Sequence, residues 1–167
     1  ENGGFFFTSH DHERLIHRPK PGYDNATPSG NGIAALALQR LHFLTGGSRH
    51  ALAAEGTLAQ FHSAMSEQPG GHATLLAALE EHQTPTRTII LRGPSGDLQR
   101  WRSALAQLYL PHTVVLAIGN DAGDLPPVLA KPASAQVKAW VCEGVSCRAP
   151  IDRLEDLVHL VSKPEEI

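Results

Sequence analysis

The sequence holds two cysteines, one methionine and only nine aromatic residues in 167, and its 14 basic against 17 acidic residues leave a formal net charge of −3. Each shortage excludes something. Without a basic excess there is no electrostatic footprint for nucleic acid or an acidic membrane surface, so neither is expected as a partner. No uninterrupted apolar run approaches the ~20 residues that a membrane-spanning helix needs. The first residues, ENGGFFFTS, carry no basic region ahead of an apolar one, so no secretory signal is read here and the cytoplasm is the expected compartment. That opening, without methionine, reads like the interior of a domain. No Walker lysine and no GxGxxG spacing appear, and no nucleophile, base and acid stand in the order that names a hydrolase. No cofactor or metal is expected, and whether the chain catalyses anything is left open.

What is present is helical at first. In NGIAALALQRLHFLTGG, Ile33, Leu36, Ala37, Leu41 and Leu44 recur at helical spacing, and Gly46 and Gly47 end the pattern. Ser48 is placed to cap a second helix with Ala54, Leu58, Phe61 and Met65 on one stripe. After Pro69-Gly70-Gly71, a third helix runs from about His72 to His82 over Leu75, Leu76 and Leu79. Phe5, Phe6 and Phe7 suit a short extended segment. Near Pro85 the character changes. TRTIILRG reads as a strand, and a helix with Leu98, Trp101, Leu105 and Leu108 on one side follows. HTVVLAIGN reads as a strand buried on both faces, and AQVKAWVCEG, with its alternation, as an edge strand. Asp152 is placed to cap a last short helix. The expected fold is mixed α and β: helical hairpins over residues 1–84, then a small three-stranded βαβ-type unit over 85–167, with the boundary near 83–86.

Four stretches could carry chemistry. In YDNATPSGNG, Thr27 and Pro28 suit a helix start, with Thr27 as N-cap and Pro28 in the first turn. Asp24, Asn25, Ser29 and Asn31 are surplus to that task, and such a cluster at a helix N-terminus could hold a sugar or an anion. In SHDHERLIHRPKP, His10, His12 and His17 could contribute to a metal site or form a solvated charged turn. Cys142 and Cys147 could form a disulfide, remain two reduced thiols, or supply half of a metal site. With no secretory signal, reduced thiols are the default. LRGPSGDLQ is a strand-to-helix turn in which Ser95 or Asp97 caps the helix, and phosphate binding there would lack its usual lysine.

Taken in order, GGFFFTSHDHERLIHRPKPGYDNATPSGNGIAALALQRL, AEGTLAQF, LLAALE and VCEGVSCRAP resemble the distal part of the YyaL-type family of thioredoxin domain-containing proteins. That family has bacterial and eukaryotic members, a spermatogenesis-associated homologue among them. The resemblance covers nearly the whole chain. It implies a C-terminal portion: the last hairpins of an α/α toroid similar to six-hairpin glycosidases, then the small α/β unit. The upstream thioredoxin-like domain becomes an expected partner, and a homodimer of the portion through uncovered helix faces a second one. The family's polar motif falls on Arg18, Lys20, Asp24, Asn25, Thr27, Pro28, Ser29, Gly30 and Asn31. In a toroid this puts Asp24, Asn25 and Ser29 at the cavity mouth, with Arg18 available to an anion. By analogy of fold, the ligand is a carbohydrate that is bound or processed. The family's cysteine pair falls on Cys142 and Cys147, as redox candidates. The alternative is a non-enzymatic scaffold or redox docking region for the thioredoxin-like domain.

Overall fold

A computed structural model describes residues 3–84, 86–144 and 146–162. The chain divides into two compact units, Glu1–Thr84 and Pro85–Ile167. The fold is mixed α and β.

The first unit contains α1 (Gly30–Thr45), α2 (Ser48–Glu67), a 3-10 turn (Pro69–Gly71) and α3 (Ala73–Gln83). Helix α1 packs against both α2 and α3. The stripe expected on α2 is the one buried: Ala54, Leu58, Phe61 and Met65. On α1 the phase differs. Ile33 and Leu41 are exposed, and the buried residues are Asn31, Gly32, Ala35 and Gln39. Leucines and alanines occupy every face of this helix, so periodicity could not choose among them. Tertiary packing put the small Gly32 and Ala35 at the contact, because α1 and α3 approach closely: a Cβ on Gly32 would stand 2.8 Å from Thr74 Cγ2. The buried amide of Gln39 reaches across and donates to the Ala78 carbonyl at 2.9 Å. Arg40 grips the buried Glu81 with two bonds, at 3.1 and 3.2 Å. Gly46 takes the left-handed conformation expected of a helix-ending glycine (φ 72°).

Helix caps differ from expectation in four places. Ser29, not Thr27, is the N-cap of α1, which puts Pro28 outside the helix. Gly47 occupies the cap position of α2 and leaves Ser48 inside it. Pro94 stands at the cap of α4 (Ser95–Leu105) without a side-chain bond. Arg153 stands at that of α5 (Leu154–Val161), while Asp152 pairs with Lys138 at 3.0 Å instead.

The second unit is a four-stranded sheet in the order β2-β1-β3-β4, where the strands are β1 (Arg87–Gly93), β2 (Thr113–Gly119), β3 (Lys138–Glu143) and β4 (Ser146–Cys147). Strands β1 and β2 are parallel with α4 between them in sequence, and β3 runs antiparallel to β1. Two expectations are corrected. Strand β2 stands at a sheet edge and is only partly buried, while β1 is the strand covered on both faces. Strand β3 is interior, because the chain turns at Gly144 (φ 57°) and returns as β4, the fourth strand. Its alternation therefore serves two cores. Val137, Ala139 and Val141 pack with Ile89, Leu91 and the Leu98–Trp101–Leu105 side of α4. Trp140 and Cys142 pack with Ile90 on the other face. Leu157 and Val161 of α5 join the first of these cores.

Candidate functional site

A cleft of about 380 Å3 opens in the helical unit. Its walls are Phe5, Phe6, Phe7 and Tyr23, with Asn25 and Thr27 at the rim. Four of the chain's nine aromatic residues thus surround one opening. All four are exposed, from 37% at Phe6 to 77% at Phe7. Exposed aromatic faces of this number are unusual where there is nothing to bind.

The polar loop beneath the cleft is spent on holding these walls in place. The Asp24 carboxylate accepts from the Ser29 N–H at 2.7 Å and from the Thr74 N–H at 2.8 Å. It thereby fastens the entry to α1 and the first turn of α3. Both are charge-assisted bonds into helix N-termini, where negative charge is favoured. Burial alone would push the Asp24 carboxyl up; the bonds from Thr74 and Ser29 outweigh it and hold it below the usual aspartate value. The Asp24 N–H donates in turn to the Gly71 carbonyl at 2.8 Å. Ser29 Oγ accepts from the Gly32 N–H at 3.1 Å as the helix cap. Asn31, buried, accepts from the Phe5 N–H at 2.6 Å and donates to the carbonyls of Phe5 and Pro21 at 3.0 and 2.8 Å. It clamps the phenylalanine segment to the start of α1.

Two glycines set the remaining geometry. A Cβ on Gly22 would lie 2.5 Å from the Phe61 ring, so the loop runs against that core side chain. A Cβ on Gly71 would collide with the Tyr23 ring, which lies over this position and meets His72 edge-on at 5.5 Å. Two cations lie close to the Phe6 ring: Arg18 at 4.3 Å and Lys20 at 4.6 Å from its centroid. Arg18 also donates to the Thr8 carbonyl at 2.7 Å, and Lys20 to the Gly3 carbonyl at 2.6 Å. Among the described residues neither forms an ion pair with a carboxylate.

The structure therefore brings Asp24, Ser29 and Asn31 together, as fasteners of the cleft. Asn25 is exposed at the rim, and Arg18 stands behind Phe6. The aromatic walls were missed as site residues by sequence reasoning. The available signal was three consecutive phenylalanines in a chain otherwise poor in aromatics. Among the described residues no group of three or more His, Cys, Asp or Glu side chains could hold a metal ion, the segment with His10, His12 and His17 included. No described helix is long and apolar enough to cross a membrane.

In the second unit Cys142 and Cys147 are joined by a disulfide. This corrects the expectation of reduced thiols. The hairpin places the two residues directly opposite each other on β3 and β4, with Cα atoms 3.9 Å apart. In the strand-to-helix turn after β1, Gly93 is crowded while Gly96 is open. Gly93 lies against Val137, where a Cβ would stand 2.8 Å from the Val137 Cα.

Together these features define a two-unit chain with an aromatic-walled cleft in one unit and a cross-strand disulfide in the other. The chain is similar to spermatogenesis-associated protein 20 of Homo sapiens, with 28% identity over 171 residues. The match covers 95% of this chain and 22% of that protein, so the chain spans about a fifth of its relative's length. No protein-family profile matches the chain, and no solved structure matches it.

Proposed function

We propose that this chain is the C-terminal portion of a longer thioredoxin domain-containing protein, and that its helical unit supplies one wall of a binding site for a small carbohydrate-like ligand. The observation that carries the reading is the convergence of Phe5, Phe6, Phe7 and Tyr23 on one cleft, with Asn25 and Thr27 at its rim. Aromatic faces cover the C–H faces of a sugar ring, and a few rim amides and hydroxyls fix its orientation. Arg18 and Lys20 behind Phe6 favour a ligand with an anionic substituent. The role is binding. Glycoside hydrolysis needs two carboxylates flanking the bond, and among the described residues the lining of the cleft contains none. Acid and base groups, if the whole protein cleaves its ligand, come from elsewhere in it. This reading keeps the cytoplasmic placement expected from the sequence, and it treats the three helices as part of an α/α toroid.

The test is a calorimetric and thermal-shift screen of the whole chain against neutral and anionic mono- and oligosaccharides. Binding by wild type that falls at least about tenfold in Phe7→Ala and Asn25→Ala, with unchanged melting temperature, supports the proposal. No binding by any saccharide, or equal binding by both variants, refutes it.

A further inference from the structure

We propose that the Cys142–Cys147 disulfide is an exchangeable redox bond whose partner is a dithiol protein, with Cys147 as the sulfur attacked. The inference stands apart from the cleft and rests on four observations in the second unit. First, the two sulfurs are unequal in access: Cys142 is 4% exposed and packed with Ile90 and Trp140, while Cys147 is exposed. An incoming thiolate can reach only one of them. Second, the Lys131 ammonium stands 3.2 Å from Cys147 Sγ. A cation there draws an incoming thiolate toward that sulfur and stabilises the Cys147 thiolate once it is released. Third, a depression of about 150 Å3 lies beside Cys147, lined by Val141, Glu143, Ser146 and Arg148. It gives the attacking side chain a place to enter.

The fourth observation is the state of the sheet edge. The Arg148 N–H donates to the Val141 carbonyl at 2.9 Å. In an antiparallel ladder this makes the neighbouring Cys142/Cys147 pair the non-hydrogen-bonded one. The N–H and C=O of Cys147 therefore face away from β3. Strand β4 is the last of the sheet, and among the described residues these two groups have no backbone partner. An extended segment of a partner can pair with them and bring its thiol to the sulfur.

The exchange balances in two steps. A thiolate of the dithiol protein attacks Cys147 Sγ; the bond to Cys142 breaks, and Cys142 Sγ leaves with the electron pair and takes a proton. The partner's second thiol loses its proton and attacks the partner sulfur of the mixed disulfide. Cys147 Sγ then leaves as a thiolate beside Lys131. The dithiol, which enters with one of its thiols deprotonated, is oxidised to a disulfide, and the Cys142/Cys147 pair gains two electrons and one proton, with Cys147 left as the thiolate. In the cytoplasmic placement proposed above, a disulfide of this kind belongs with those that are transient or redox-sensing.

Capture tests the proposal. Thioredoxin with its resolving cysteine replaced is mixed with the oxidised wild-type chain. The expected product is a mixed disulfide, mapped by peptide mass spectrometry to Cys147. Lys131→Gln slows its formation about fivefold, as expected for loss of one nearby charge in a solvated site. A second measurement avoids dependence on the intact pair. In Cys142→Ala the remaining Cys147 reacts with an activated aromatic disulfide at least about tenfold faster than Cys142 does in Cys147→Ala, both checked for native circular dichroism. Absence of any mixed disulfide, capture at Cys142, or equal reactivity of the two single-cysteine variants each overturns the proposal.

Discussion

Replacing Asp24 separates a fastening role from a ligand-binding one. Its carboxylate accepts from two backbone N–H groups, Ser29 at 2.7 Å and Thr74 at 2.8 Å, which lie on segments 45 residues apart in the chain. Hydrogen bonds to a charged group contribute about 1.5–3 kcal/mol each, and partial exposure of the site pulls these toward the low end. Asp24→Ala removes both and leaves two helix-entry donors without a partner. The expected loss is about 2–4 kcal/mol. Asp24→Asn keeps one acceptor and turns an NH2 toward the other donor, so about 1–2 kcal/mol is expected. For a unit of this size about 1 kcal/mol moves the melting temperature by roughly 4–8 °C. Asp24→Ala should therefore lower the transition of the helical unit by about 10 °C or more, followed by circular dichroism at 222 nm. The two substitutions should rank Ala below Asn. A melting temperature within about 2 °C of wild type for Asp24→Ala would refute the fastening role. It would return Asp24 to the list of groups free to meet a ligand.

Other expectations follow from the same contacts. The bonds from Thr74 and Ser29 depress the Asp24 carboxyl in the folded state, so its contribution is present above the ordinary value of 3.8 and is lost as pH falls through the lower, folded value. Acid titrations of stability should show this loss in wild type and not in Asp24→Asn. Arg40→Ala takes the bidentate guanidinium from the buried Glu81 and should cost about 2 kcal/mol in urea melts, less than a fully buried pair because Arg40 is half exposed. Gly71→Ala places a methyl where the Tyr23 ring lies. It should cost about 1–3 kcal/mol and weaken saccharide binding together with it, whereas Phe7→Ala should affect binding alone. Light scattering on the isolated chain should show a dimer that Leu41→Glu dissociates, since Ile33 and Leu41 leave an apolar face of α1 uncovered.

Much of the fold was legible because it depends on local pattern. The stripe of α2, the Leu98–Trp101–Leu105 side of α4, the glycine end of α1 and the strand over residues 87–93 are periodicities and punctuation that need no partner to be read. Helix α1 was legible as a helix and illegible as a face, because its leucines and alanines serve several faces equally and only the approach of α3 to Gly32 selects one. The sheet edges were misassigned for a related reason. Whether a strand is central depends on what pairs beside it, and the return of β4 after Gly144 is a nonlocal event. The candidate loop was legible as a place and not as a set of roles. Asp24, Ser29 and Asn31 carry the residue types of a ligand site and of a helix entry alike.

The amino-acid sequence by itself determined the mixed class, the succession of the helices and the three longer strands, and the concentration of polar groups between Asp24 and Asn31. Hydrophobic period and turn chemistry act over a few residues, so they are written locally. Only the tertiary structure decided which of those polar groups were consumed. Thr74 meets Asp24 from fifty positions away, and Asn31 meets Phe5 from twenty-six. Only the structure turned three phenylalanines and Tyr23 toward one cleft, and set an exposed Cys147 beside Lys131 while burying its partner sulfur. Hydrogen-bond satisfaction and burial depend on distances between segments, which chain order alone does not set.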